Sequence, residues 1–376
     1  MTTTTRIHSA GEAGFVEFRA SPGHRRPVAK RGSVEVVVIG HTGQVGSALV
    51  QRLTRIGGQR GLPELKFSEG INRSRHIFAD GREVRELPRA SGSLGELASR
   101  LGSRRRPAVI VDCTADPDLP RLYPDWLRAG IGVVTPNKHG LAGDEKLYRA
   151  IREAAQRSGA PLAYSATVGA GSPILSTLRR MRQAGAAPSG ITAVLSGTLS
   201  HVFSAMTDGA SLSEAVADAR SRGFTEPNPL EDLSGRDVAR KLRIMLREAG
   251  LDEIGIHREP VVPDAPARSA SDEPAVKALL ESLDEAWRRR LAQARSRQTV
   301  MVYLARFGQS GATVAPVCVA PDSPFARLAG SGNRACIEWP DDPDCPMDIF
   351  GPGAGTNVTA GAVLADLVEA ASGLAR

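Results

Sequence analysis

The sequence predicts an α/β protein in two parts, an N-terminal doubly wound parallel sheet followed by an α+β domain built on a mixed sheet. Three observations carry this expectation. A β-branched run, "VEVVVIG" at 34–40, leads directly into glycines and then into a helical stretch. Strand-like and helix-like segments then alternate as far as Leu141, which implies parallel strands joined by crossover helices. Beyond that point helices and strands come in separate runs, as in an α+β unit.

The elements follow in order. In "GHTGQVGSALVQRL" the residues Val45, Leu49 and Leu53 recur about one turn apart, so a helix begins inside the glycine turn. "LKFSEGIN" at 65–72, "AVIVDCT" at 108–114 and "GIGVVTPN" at 130–137 read as further strands, the last after a helix in "LPRLYPDWLRAG". In the second part a helix is expected at about 144–158, helical or alternating stretches through "ITAVLSGTLSHVF", and a capped helix at 211–222. Residues 263–275 read as a loop, "AVKALLESLDEAWRRRLAQARSR" as an amphipathic helix, and "TVMVYLARF" and "ATVAPVCVA" as adjacent antiparallel strands. In "TEPNPLEDLSGRDVARK", 225–241, Ser234 and Asp237 have the spacing of a capping box, with aspartate in place of the usual Glu or Gln. There is no internal repeat.

Composition narrows the class. The chain has 376 residues, 41% hydrophobic and 24% charged, and no apolar run approaches the ~20 residues needed to cross a bilayer. A cytoplasmic protein is expected, with neither a membrane nor a nucleic acid as partner. The net charge of +7 is concentrated in residues 1–33, which hold six Lys or Arg and two Glu. Such a segment, lacking an aromatic stacking platform, reads as a disordered basic arm. It has no apolar core of a secretory signal, and Glu12 and Glu17 count against a transit peptide. Cys113, Cys318, Cys336 and Cys345 lack paired spacing and read as free thiols.

Gly40, Gly43 and Gly46 form GxxGxxG between strand and helix. Glycines let backbone approach a pyrophosphate, whose charge then meets the free N–H groups and positive dipole end of the helix that Gln44 and Val45 begin. This is the dinucleotide-binding arrangement of a Rossmann-type sheet. At the end of the second strand, where an acid would accept from the ribose 2′-OH of NAD, stand Arg73, Ser74 and Arg75, so NADP is favoured over NAD.

Five ordered segments, "VVTPNK" (133–138), "ATVGAGSP" (166–173), "LSGTLSHVF" (195–203), "GFTEPNPLEDLSGRDVARK" (223–241) and "GPGAGTNVTA" (351–360), resemble the homoserine dehydrogenase family. They are most similar to the dehydrogenase half of bifunctional aspartokinase/homoserine dehydrogenases. The resemblance covers residues 34 to about 372. It implies reversible reduction of L-aspartate 4-semialdehyde to L-homoserine by NAD(P)H. It divides the chain into a dinucleotide-binding domain at 34–141, a substrate-binding and dimerisation domain at 142–350, and a C-terminal segment, 351–376, returning to the cofactor domain. A homodimer is expected, without a fused aspartokinase or ligand-sensing domain.

The resemblance also assigns roles. Thr114 matches the residue beside the nicotinamide, and Gly355 a position where C-terminal backbone closes over the cofactor. Lys138 and Lys241 match the two lysines that handle the proton, Lys138 lying near both cofactor and substrate. A lysine suits that task because its ammonium stabilises alkoxide character on the oxygen of the receiving carbon. Glu226, Asp232 and Asp237 match carboxylates that hold the substrate's amino group, and Thr198 the residue against its end. Asp237 and Lys241, four apart, share a helix face.

Two departures from the family pattern stand out. Ser165 replaces an acid at a monovalent cation site, sodium or potassium, that would otherwise be completed by the carbonyls of Val168, Ala170 and Ser172. The cation is therefore left open. Asn228, Leu230 and Glu231 replace Asp, Arg and Asp in the family's "TEPDPRDD". These changes keep a second reading open, a paralogous dehydrogenase acting on another amino-acid semialdehyde. A non-catalytic NADP-binding regulatory protein is the alternative of another class.

Overall fold

The computed structural model describes residues 32–56, 62–79, 84–88, 94–104, 106–270, 272–326, 328 and 332–375, with the side chains of 84–88, 268, 269 and 343 set aside. The basic arm therefore lies outside the described residues, apart from its last two positions, Gly32 and Ser33.

The first sheet contains β1 (Ser33–Ile39), β2 (Glu64–Ile71), β3 (Arg75–Ala79), β4 (Val84–Pro88), β5 (Ala108–Asp112), β6 (Gly132–Val134) and β7 (Leu162–Ala163), in the order β4-β3-β2-β1-β5-β6-β7. β1 is buried on both faces, which is why its sequence is almost continuously β-branched. Val37 and Ile39 enter one apolar cluster with Leu97, Leu101, Tyr123, Trp126 and Ile151. Val34, Val36 and Val38 enter the opposite cluster with Leu49, Leu53, Val363 and Leu367. Helices thus cover both faces. The last helix, Thr356–Leu374, packs beside helix Gln44–Ile56. Burying side chains such as Val363 and Leu367 contributes about 1.5–3 kcal/mol each and ties the chain's end to the first sheet.

Two features of this sheet differ from the sequence expectation. The parallel pairs are β2·β1, β1·β5, β5·β6 and β6·β7, but β2·β3 and β3·β4 are antiparallel, so a hairpin extends one edge. The sequence between β3 and β4 begins with Asp80-Gly81, a pair typical of hairpin turns. The sheet also runs on past 141. Helix Glu145–Ser158 places Ile151 and Ala154 in its core, and β7 completes its other edge.

The second sheet contains β8 (Gly190–Val194), β9 (Ile256–Arg258), β10 (Val300–Gly308), β11 (Gly311–Val319), β12 (Gly332–Trp339) and β13 (Asp342–Pro352), in the order β13-β12-β8-β10-β11-β9. All of its pairs are antiparallel except β11·β9, so the sheet is mixed. Helices Ile174–Gln183, Gly197–Thr207, Leu212–Ser221, Arg236–Glu248 and Glu273–Ser296 supply side chains to its main core. The segment read as a loop at 263–275 holds a short helix, Asp264–Ser269, whose Asp264 pairs with Arg236 and Arg258. No helix among the described residues is long and apolar enough to cross a membrane.

Candidate active site

The glycine turn sits between β1 and helix Gln44–Ile56. Gly40 has a φ of 80°, a left-handed conformation that suits glycine, and its carbonyl accepts from the Gly43 N–H at 3.0 Å. A Cβ on Gly46 would stand 2.2 Å from that same carbonyl oxygen, so the helix can start this close to the strand only with glycine there. The first N–H groups of the helix, including those of Gln44, Val45 and Gly46, lack intrahelical acceptors and fit a pyrophosphate. Thr114 borders the turn, its Cγ2 lying 3.0 Å from where a Gly40 Cβ would be. Gly355, with a φ of 125°, precedes the last helix, and the Thr356 hydroxyl donates to Gln44 Oε1 at 3.2 Å. The "GPGAG" segment and the glycine turn therefore meet.

Arg73, Ser74 and Arg75 are exposed at the C-terminal end of β2. Asn72 organises them, accepting from the N–H of Ser74 at 3.0 Å and of Arg75 at 2.7 Å, and it donates to Thr42 of the glycine turn at 3.3 Å. The acid nearest this end of β2, Glu69, is fully buried and held by His76 at 2.8 Å, Arg104 at 3.0 Å and Arg100. Burial pushes its carboxyl up, but the hydrogen bonds from Arg100 and His76 outweigh this and leave it below its ordinary value. It is thereby committed elsewhere than to a ribose.

The lysines come from two elements. Lys138 precedes the short helix His139–Ala142 after β6, and Lys241 lies on helix Arg236–Glu248. Asp237 bridges them, with Oδ1 3.3 Å from Lys138 Nζ and Oδ2 2.9 Å from Lys241 Nζ. Lys241 also donates to the Leu195 carbonyl at 2.7 Å. Burial pushes the Asp237 carboxyl up, but the ammonium groups of Lys241 and Lys138 prevail and hold it well below the usual carboxylate range. About 44% of the Asp237 side-chain surface stays open, so water screens these pairs in the open cleft.

The capping box expected at Ser234 and Asp237 is not formed. Gly235, with a φ of 68°, separates helix Pro229–Leu233 from helix Arg236–Glu248. A Cβ at Gly235 would meet the Tyr303 hydroxyl at 2.0 Å. The Ser234 hydroxyl instead donates to the Glu231 carbonyl at 2.6 Å and accepts from the Arg236 N–H at 3.1 Å. Asp237 is left to the lysines.

Beside this bridge lies a second group. Ser196 caps helix Gly197–Thr207, accepting from Leu199 N at 3.2 Å, and so sets Thr198 in the first turn. The Thr198 hydroxyl donates to the Phe224 carbonyl at 2.5 Å and lies 3.3 Å from Asp232 Oδ1. Asp232 Oδ2 accepts from the Glu226 N–H at 2.9 Å. Burial is the main reason the Asp232 carboxyl is pushed up to about 6, with the charges of Glu226 and Asp237 adding to it.

The altered rim residues have work outside this cluster. Asn228 caps helix Pro229–Leu233, accepting from Leu230 N at 3.1 Å; Leu230 is buried in the main core; and Glu231 faces Arg236 at 3.9 Å. The cation loop does not offer the acid that the family site would use. The backbone N–H of Ser165 donates at 2.8 Å to Asp366 of the last helix, and the Ser165 hydroxyl and the Ala166 N–H also face that carboxylate. Burial raises the Asp366 carboxyl in spite of these bonds. The turn holding Val168, Ala170 and Ser172 closes on itself through Ser172 N to Gly169 O at 2.8 Å. With Ser165 in place of an acid, the turn itself offers a hydroxyl and backbone carbonyls, and the neighbouring carboxylate, Asp366, is held by Ser165 and Ala166. Asp366 was missed by sequence reasoning because it lies 201 residues from Ser165.

A doubly wound sheet with a tight glycine turn at the start of a helix, together with a cleft where one carboxylate bridges two lysines, defines a protein of the nicotinamide-dependent oxidoreductase type. The family model described as homoserine dehydrogenase matches residues 173–368, and that described as homoserine dehydrogenase, NAD binding domain, matches 42–165. The chain belongs to the homoserine dehydrogenase family.

Individual relatives agree. The homoserine dehydrogenase of Schizosaccharomyces pombe is 30% identical over 368 residues, 91% of this chain and 96% of that one. The chloroplastic bifunctional aspartokinase/homoserine dehydrogenase 1 of Arabidopsis thaliana is 35% identical over 93% of this chain, which spans 40% of that longer protein. Among solved structures, a Candida auris protein of unknown function is similar with a TM-score of 0.82 at 28% identity, covering 91% of this chain and 99% of that one. A hyperthermophilic archaeal homoserine dehydrogenase in complex with NADPH shares the fold, with a TM-score of 0.70 at 22% identity over 90% of this chain and 97% of that one.

Proposed function

We propose that this chain reduces L-aspartate 4-semialdehyde reversibly to L-homoserine, with NADPH in preference to NADH. The observation that carries the reading is the Lys138–Asp237–Lys241 bridge beside the Thr114 edge of the cofactor groove. NADPH supplies the hydride when bound. Asp237 keeps two ammonium groups together in one cleft. An ammonium has three N–H bonds, and the Leu195 carbonyl and Asp237 account for two at Lys241. The third is directed to the substrate oxygen, where it stabilises the developing alkoxide and delivers the proton. Asp232 and Glu226 hold the substrate's ammonium, and Thr198 orients Asp232.

The exposed Arg73 and Arg75, with Glu69 committed elsewhere, support a 2′-phosphate at the end of β2. Ser165, which adds no charge where the family has an acid, supports turnover without a monovalent cation. The rim changes at 228, 230 and 231, being structural, do not favour a different semialdehyde. The free thiols suit a reducing cytoplasm. A homodimer through the second sheet is part of this reading, carried over from the family resemblance, and light scattering should return twice the 39.7 kDa chain mass. A monomer mass contradicts that assignment.

The function is tested by initial rates with aspartate semialdehyde, using NADPH and then NADH, with and without potassium. Turnover is expected to be faster with NADPH and unchanged by the salt; no semialdehyde-dependent oxidation of either cofactor would sink the reading. A pH dependence follows as well. Asp232 titrates at about 6, so KM for the amino-acid substrate should rise as pH falls through that value, while kcat changes less. The same upward shift means that Asp232 favours the folded state below its ordinary pKa and loses that contribution as pH rises through about 6. A KM that stays flat from pH 7 to 5 argues against the ammonium-binding role.

A further inference from the structure

We propose that Asp112 is a positioning residue of this reaction, a buried carboxylate that locks the Thr114 side of the cofactor groove to the loop carrying Lys138. The inference rests on the functional reading above. β5 and β6 are parallel neighbours, Val111 pairing with Val134, and their C-terminal ends release the two loops concerned.

Asp112, at the last position of β5, is fully buried. An ionised carboxylate there is costly without partners, and the surrounding chain supplies them. Oδ1 accepts from the Thr114 N–H at 2.7 Å. Oδ2 accepts from the Tyr123 hydroxyl at 2.5 Å and from Asn137 Nδ2 at 3.0 Å. Asn137 is itself fully engaged. Its side-chain amide also donates to the Asp116 carbonyl at 2.9 Å, its backbone N–H donates to Thr135 Oγ1 at 2.8 Å, and its Oδ1 accepts from the His139 N–H at 2.9 Å. The Thr135 hydroxyl donates back to the Asp112 carbonyl at 3.0 Å. Asn137, on one side of Lys138, is thus pinned to the residue that fixes Thr114, and His139, on the other side, is held through Asn137.

Stability alone does not call for this group. Burial raises the Asp112 carboxyl despite the hydrogen bonds from Tyr123, Thr114 and Asn137, and well-packed apolar replacements of buried charges are often at least as stable. What the carboxylate does that an amide cannot is accept from both loops at once. An amide at 112 could keep the Thr114 bond, but its NH₂ would face the NH₂ of Asn137, donor against donor. Across the cleft, Asp237 meets the Lys138 ammonium at 3.3 Å and Arg247 donates to the Leu141 carbonyl at 2.6 Å. Asp112 is the complementary hold from the sheet side.

The test uses Asp112→Asn and Tyr123→Phe in the full chain. Steady-state rates are measured with aspartate semialdehyde and either NADPH or NADPH deuterated at the transferred position, together with thermal melts and NADPH affinity by fluorescence. For Asp112→Asn, kcat should fall roughly 10- to 100-fold, as expected for a small misplacement of reacting groups. The deuterium isotope effect on kcat should rise as hydride transfer becomes limiting, and NADPH affinity should weaken severalfold. Tyr123→Phe keeps its packing against Trp126 and should show the same changes in milder form, which preserves the test if Asp112→Asn does not fold. Loss of rate in proportion to folded protein, with KM, isotope effect and NADPH affinity unchanged, overturns the proposal and leaves a structural role only. Should the native chain fail to reduce the semialdehyde, the functional reading falls by itself. NADPH affinity then decides the coupling, and an unaltered affinity in both variants overturns it.

Discussion

Replacing Lys241 by alanine is expected to lower kcat at least about 100-fold while NADPH still binds with near-native affinity, because general acid catalysis contributes about that much. The lysine reaches the cleft from helix Arg236–Glu248, whereas the glycine turn belongs to the first sheet, so the cofactor contacts are left in place. The Lys241 side chain is 11% exposed and bonds to the Leu195 carbonyl and Asp237. Its removal leaves Asp237 with Lys138 as its remaining lysine partner, in a cleft open enough for water to replace the lost ammonium. The defect should therefore lie in turnover and not in folding. The measurement is NADPH oxidation at saturating semialdehyde, paired with NADPH fluorescence titration. A near-native kcat would remove Lys241 from proton handling.

The second large effect is expected from Gly46→Ala. The added Cβ would stand 2.2 Å from the Gly40 carbonyl oxygen, 2.8 Å from its carbon and 2.9 Å from His41 Cα. These are backbone atoms and cannot rotate aside, so the strand and the helix start must separate. Overpacking of this kind costs about 1–3 kcal/mol, and the turn that cradles the pyrophosphate is the part that opens. NADPH affinity should fall on the order of 100-fold, with a melting temperature lower by roughly 2–10 °C. Gly43→Ala is the internal control. Its nearest new contact would be Gly40 O at 3.3 Å, so its effect should be much smaller. Equal effects of the two substitutions in melts with and without NADPH would contradict the close-approach argument.

Much of this fold was legible because local pattern and tertiary role coincide. β1 is β-branched because both of its faces are covered, and the antiparallel pair β10·β11 follows from two successive segments rich in apolar residues. The β12–β13 hairpin is harder to read, because Pro340, Pro343 and neighbouring aspartates look like a turn-rich stretch. The capping box failed for a related reason. Spacing alone cannot reveal that Gly235 turns left-handed against Tyr303 and sends Asp237 to the lysines.

The candidate site divides in the same way. Asp237 and Lys241 share a helix face, which their spacing already implied, and Lys138 was reached through the resemblance of "VVTPNK". Tyr123 and Asn137 carry no local signal, since their relation to Asp112 exists only because β5 lies beside β6. Asp112 does carry one, as an acid ending an otherwise apolar buried strand, where a carboxylate must find donors.

If the bridged lysines serve a hydride transfer to the aldehyde carbon of aspartate semialdehyde, NADPH deuterated at the transferred position must pass its label to the product. Mass spectrometry should find homoserine carrying one deuterium at C4, formed in step with NADPH oxidation. Unlabelled homoserine, or NADPH that binds without any semialdehyde-dependent product, would show that the site does not carry out this transfer.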